Sequence, residues 1–281
     1  MSFAARRIIG TTLLYLLVAL IVVVALFPFY WILITSLKTD ADLNQGTHSL
    51  LPTSFDPAVY VRLFAQDNFL VPLLNSALVA LCTSVVSLVV GALAAHAMVR
   101  LVPRARPAIL GFILGVGFFP PIAMAGPLFF IFRSINFLNS YPALIFSYLI
   151  YALPITVWLL VSIFSQIPKD MEEAGMMDGA TSLQILWLIM TPLAMPGIFT
   201  AGILGFILCW NDFLFALSFM TDPNRFTAPL AIVNLGQSQY RVFYNVINAG
   251  VVITTLPIVV LVLLAQRRIV AGLAAGGIKG G

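Results

Sequence analysis

From Ile8 to Leu37 the chain runs thirty residues without a charged side chain. A helix needs about 20 apolar residues to cross a bilayer, so this run is long enough to span one. Comparable runs follow at 69–99, 108–132, 142–165, 197–219 and 245–265, and Asp212 is the one acid among them. The pattern predicts an all-α, polytopic membrane protein with six transmembrane helices, read as a single transmembrane domain over residues 1–281. The first run is about twice the apolar core of a cleavable signal, roughly 7–15 residues, and is expected to stay as a span. With 9% charged residues and a mean hydropathy of +1.07, the chain leaves no room for a sizeable soluble domain.

An even number of spans puts both termini on one side. The segments on that side hold Arg6, Arg7, Arg100, Arg104, Arg106, Lys169, Arg267, Arg268 and Lys279, against Lys38, Arg62, Arg133, Arg225 and Arg241 on the other. Positive charge concentrates in cytoplasmic loops, so both termini and the loop 166–196 are expected in the cytoplasm. The net charge of +4 is too scattered for a nucleic-acid surface. Cys82 and Cys209 lie inside apolar segments and offer neither a disulfide framework nor a metal spacing. The connections 38–68 and 221–244 read as exposed polar loops on the outer side, the first rich in Asp and turn residues.

The loop 166–196 departs from the charge rule. It holds Asp170, Glu172, Glu173 and Asp178, four of the ten acids, against one base, Lys169. A basic soluble partner would account for that. Pro168 and the acids after it favour a helix start, and Gly179 permits a turn. Thr181 or Ser182 can cap a second helix, 183–190, that Pro192 and Pro196 should end. The expectation is a helix pair lying on the membrane surface. A merely solvated acidic surface is the alternative.

Glu173-Ala174-Gly175, three residues, Gly179, nine residues, Ile189 and then Pro192 resemble the EAA loop of permease subunits from ATP-binding-cassette importers. Asp178-Gly179-Ala180 and Gln184 match its carbohydrate-type members as well. Gly175 stands where the family usually has Ala, and Thr191 where it often has Leu. The resemblance implies that the loop docks into a cleft of an ATPase subunit, with Glu173 facing an Arg there. The coupling residues it carries over are Glu173, Ala174, Gly175, Asp178, Gly179, Ala180, Ile189 and Pro192.

Three features inside the spans add to this. Gly91 to Ala97 is a small-residue stretch that favours close helix packing. His96, near the end of that span, reads as a hydrogen-bonded interfacial group or as a proton relay. Pro120-Pro121 breaks the third span, which also carries Gly111 and Gly115 at G-x-x-x-G spacing. A broken helix in lipid either lines a cavity or is a packing kink. Trp210-Asn211-Asp212 combines an aromatic face with hydrogen-bonding groups, which suits a sugar, and equally suits a contact between helices. The run through Leu217 resembles the fifth span of maltose-type permeases, with Asp where Glu is common. The tail 266–281, with Arg267, Arg268 and Lys279, is similar to the end of the maltose and trehalose class, where it reaches between the ATPase subunits.

No G-x-x-x-x-G-K-[ST] loop occurs in the sequence, so ATP and Mg are expected on partner subunits and no cofactor on this chain. The expectation is a transport subunit, not an enzyme, in a bacterial or archaeal inner membrane. It would work with a second permease, two ATP-binding subunits and an extracytoplasmic sugar-binding protein, moving a disaccharide or oligosaccharide such as maltose or trehalose. A glycerol-phosphate or polyol importer fits the same motifs. A self-sufficient secondary transporter or a membrane enzyme would need paired acids or catalytic groups that the sequence does not offer.

Overall fold

The computed structural model describes residues 3–44, 49–51, 54–235 and 242–277, with side chains for 9–43, 49–51, 54–235 and 242–266. Every long element is helical. Among the described residues five helices are long and apolar enough to cross a membrane, and there are six crossings if one bent helix pair is counted as a single span. The chain is a multi-pass membrane protein. It divides into two compact units, one of residues 1–69 with 232–255 and one of 70–231 with 256–281.

In the first unit, α1 (Phe3–Leu37) exposes apolar side chains from Ile9 to Tyr30, Leu13, Leu16 and Leu20 among them. That is the surface expected of a helix in lipid. The connection after it is more ordered than its polar composition predicts. Lys38 is 1% exposed; its Nζ donates to the Ser49 carbonyl at 2.6 Å and sits 5.1 Å from the Trp31 ring centre. Asp42 accepts from the Ser54 amide at 3.0 Å, and Ser36 shares a 2.7 Å hydrogen bond with Tyr60. Within it, α2 (Ala58–Ala65) buries Val59 and Leu63. These stand one helical turn apart, a signal too short to register against the surrounding polar residues.

In the second unit three helices pack on one another: α3 (Leu70–Leu101), α6 (Tyr141–Phe164) and α8 (Ser182–Trp210). Small residues set their separation. A Cβ on Gly91 would lie 3.1 Å from Thr156 Cγ2 and 3.3 Å from Leu160 Cδ1. Ser87 shares a 2.9 Å hydrogen bond with Thr156, and Ser84 Oγ donates to the Gly202 carbonyl at 2.7 Å. Two apolar clusters fill opposite ends of this bundle. One gathers Val79, Tyr148, Trp210, Phe215 and Phe219, the other Ala95, Leu160, Phe164, Leu186 and Met190. Gly91→Leu should overpack the α3–α6 contact and cost about 1–3 kcal/mol, read as a lower unfolding midpoint in detergent.

The segment expected as the third span is the bent pair α4 (Arg106–Gly117) and α5 (Pro121–Ser134), which turns by 81° at the break that Pro120-Pro121 closes. Gly117 lies against Pro154, where a Cβ would come within 2.8 Å of the Pro154 Cβ. Among the described residues nothing lies within 4 Å of a Cβ built on Gly111 or Gly115.

The segment after the acidic loop corrects the expected helix 183–190. Neither Pro192 nor Pro196 ends it, and the helix runs unbroken from Ser182 to Trp210. Its first part, Ile185–Met190, is wound as a π-helix, and Thr191 N–H bonds back to the Leu186 carbonyl. That shift of register comes just before Pro192, where a missing donor is easily accommodated. The helix that carries the expected fifth span therefore starts well before residue 197. The chain then breaks at Asn211–Phe213 before α9 (Leu214–Phe219). The expected polar loop 221–244 contains α10 (Ala228–Asn234), in which Ala228, Leu230 and Ala231 are buried. The last helix, α11 (Tyr244–Gly277), continues far past residue 265 with Pro257 inside it.

Candidate coupling site

The acidic loop begins as α7 (Lys169–Met177), with Pro168 at the position before its first turn. Its end is tied by two backbone bonds: Gly179 N–H to the Met176 carbonyl at 3.0 Å, and Ala180 N–H to the Gly175 carbonyl at 3.0 Å. This closure needs a left-handed residue, and Gly179 has φ +81°. Gly179→Val should cost about 1–2 kcal/mol for that conformation, and Gly179→Asn less, measured as unfolding midpoints of the purified chain. The next helix opens on a reciprocal cap. Gln184 N–H donates to Thr181 Oγ1 at 3.4 Å, and Thr181 N–H donates to Gln184 Oε1 at 2.7 Å.

The turn folds the start of α8 back onto α7. Gly175 is buried, and a Cβ there would come within 2.5 Å of Ile189 Cδ1. Glycine in place of the family's Ala thus permits a closer approach to Ile189. Buried Ile185, Leu186 and Met190 continue the contact into the bundle.

Two adjacent carboxylates on α7 have opposite surroundings. Glu173 is exposed, with Ala174, Met176, Met177 and Asp178 exposed around it. Glu172 is 4% exposed and forms an ion pair with Arg100 of α3. Arg100 Nε donates to Glu172 Oε1 at 2.6 Å, and its Nη2 donates to the Ile167 carbonyl at 2.9 Å. One turn earlier on α3, His96 Nε2 shares a 2.8 Å hydrogen bond with Ser182 Oγ. The sequence motif does not separate Glu172 from Glu173. The signal available was register: Glu172 falls three residues before buried Gly175, on the inward stripe of a nine-residue helix.

The other candidate residues lie apart from this loop. Trp210 is buried in the far apolar cluster, 5.5 Å from the Phe206 ring. Asn211 is exposed and donates to the Ile207 carbonyl at 2.7 Å. Asp212 Oδ1 accepts from the Phe215 and Ala216 amides at 3.2 and 3.3 Å and so caps α9. The buried Tyr148 and Tyr151 hydroxyls face its carboxylate but make no hydrogen bond of ordinary geometry. Pro120 and Pro121 are exposed at the bend. Arg267 and Arg268 are on α11 with side chains outside the described residues, and Lys279 lies outside them altogether.

Residues 87–274, from the middle of α3 through the acidic loop to α11, match the family described as the binding-protein-dependent transport system inner membrane component. The chain belongs to this family. As a transport component it is a permease subunit, not an enzyme. Among relatives of this permease, the sulfoquinovosyl glycerol transport system permease protein of Agrobacterium fabrum is 40% identical, covering 96% of this chain and 95% of that one. The trehalose transport system permease protein of Mycobacterium tuberculosis is 42% identical over 93% and 95%. The trehalose/maltose transport system permease protein of Thermococcus litoralis is 34% identical over 98% and 99%. The fold of the permease is also that of a chain in the crystal structure of a bacterial ABC transporter involved in the import of alginate. Their TM-score is 0.78 at 24% identity, covering 95% of this chain and 98% of the other.

Proposed function

We propose that this permease conducts a disaccharide or a comparable glycoside, in the manner of maltose or trehalose, and that it does so as part of an ABC importer. In that importer it pairs with a second permease, two ATP-binding subunits that hold ATP and Mg, and an extracytoplasmic sugar-binding protein. Both termini and the acidic loop face the cytoplasm of a bacterial or archaeal cell. Relatives with trehalose, maltose and sulfoquinovosyl glycerol in their names support the sugar class. The observation that carries the coupling role is the exposed Glu173 on a helix whose other side is locked to the bundle by Glu172.

In this reading an ATP-binding subunit receives α7, and Glu173 is its charged contact. Ala174 and Asp178 share the exposed surface, while Gly175, Gly179, Ala180, Ile189 and Pro192 hold the helix pair in shape. The tail with Arg267, Arg268 and Lys279 makes a second contact with the ATPases. Asp212 at the helix break, with Trp210 and Asn211 beside it, is the pathway candidate on this chain, and the bend at Pro120-Pro121 is its counterpart in the third crossing. Uptake of radiolabelled trehalose, maltose and glycerol 3-phosphate by cells expressing the complete transporter tests the substrate class. Accumulation of a disaccharide that requires this chain is expected; accumulation of glycerol 3-phosphate alone would overturn it.

A further inference from the structure

The acidic loop is joined through the backbone to α6 and α8, yet its polar anchors are on α3. Arg100 grips α7 through Glu172, and its Nη2 also reaches the carbonyls of Ile167 at 2.9 Å and Phe164 at 3.4 Å, where α6 ends. His96 holds the start of α8 through Ser182, with Nδ1 3.1 Å from the Met190 sulfur. His96 and Arg100 are four residues apart where the end of α3, Ala97–Leu101, is wound as a π-helix, and this one end of α3 clasps the loop on both sides of its turn. The clasp is stiff because it is dry: the Arg100 and Glu172 side chains are 13% and 5% exposed. Opening a buried ion pair strands a charge, so α7 and α3 are held to a single arrangement.

We propose that Arg100 and Glu172 are positioning residues for energy coupling, fixing α7 to α3 so that a displacement of Glu173 moves α3 together with the loop. This rests on the coupling role given to Glu173 above. In the absence of the pair, α7 remains tethered by its chain connections and could follow an ATPase without moving α3. The pair would then be needed for transport even though neither residue touches a partner or a substrate.

The test uses the complete transporter in nanodiscs, with Cys82 and Cys209 replaced by serine and spin labels at Leu101→Cys and Met177→Cys. Leu101 ends α3 and Met177 ends α7, and both side chains are exposed. The native pair should give one narrow distance distribution, the same before and after trapping with ATP and vanadate. Arg100→Gln and Glu172→Gln should each broaden it and raise the ATP hydrolysed per sugar transported by about fivefold or more. Arg100→Lys, which keeps the charge, should restore both readouts towards native. A native, narrow distribution and a native ATP-to-sugar ratio in the two Gln variants would overturn the proposal. So would a broad distribution in the unaltered complex. Where a Gln variant does not assemble, Arg100→Met combined with Glu172→Leu, which removes the pair without stranding a charge, decides by the same two readouts. A broadened distribution and a raised ratio support the proposal; native values overturn it. Glu173→Ala in parallel separates the two ideas: native coupling there removes the coupling role itself, whereas uncoupling by Glu173→Ala with native Gln variants removes only the role of the pair.

Discussion

Glu172→Ala lowers the stability of the purified chain by about 3–5 kcal/mol, because it leaves the Arg100 guanidinium buried without its carboxylate. The carbonyls of Ile167 and Phe164 still accept from Arg100 and place the loss toward the lower end of that range. A thermal unfolding curve in detergent reads the change directly. Glu172→Leu, which fills the space but also strands the charge, should be nearly as damaging. Arg100→Met with Glu172→Leu, removing both charges together, should recover most of the loss. A midpoint unchanged by Glu172→Ala would show that the pair contributes nothing to the fold.

Glu173→Ala, one residue along, is expected to do the reverse. Its side chain is exposed, and exposed substitutions away from packed features change stability by less than about 0.5 kcal/mol. Its effect should appear in the complex. Losing one member of a desolvated interfacial charge pair typically costs about 2–5 kcal/mol, or roughly 30- to 4000-fold in affinity. The ATP-binding subunits should therefore dissociate during purification, and transport should fall with them. Immunoblots of the purified complex and uptake assays report both. Two neighbouring carboxylates with opposite phenotypes would separate a partner contact from an internal clasp.

The helical fold was legible because its signal is long: runs of more than twenty apolar residues admit few alternatives. Breaks set by covalent chemistry were also readable, as at Pro120-Pro121, and so was the turn at Gly179. What escaped the sequence depends on a few residues reaching partners far away in the chain. Arg100 and Glu172 are 72 residues apart, His96 and Ser182 86 apart, and no local pattern joins them. Pro192 misled for a related reason. A proline normally stops a helix, but the π-helical winding of Ile185–Met190 places it where its missing donor is tolerated, and packing of Leu186 and Met190 keeps that winding. Buried Lys38 was missed because a charged residue next to Asp-rich turns reads as solvent-facing until the Ser49 carbonyl and the Trp31 ring are brought to it.

On the proposed coupling role, the exposed side of α7 seats in an ATP-binding subunit. The most direct measurement places a photo-reactive amino acid at Glu173 in the full-length chain, crosslinks native membranes, and identifies what is attached by mass spectrometry. The expected product is an adduct with a subunit carrying a G-x-x-x-x-G-K-[ST] phosphate loop, weakened when Gly179→Val distorts the turn. Crosslinking to lipid alone, or to a protein without that loop, would contradict it.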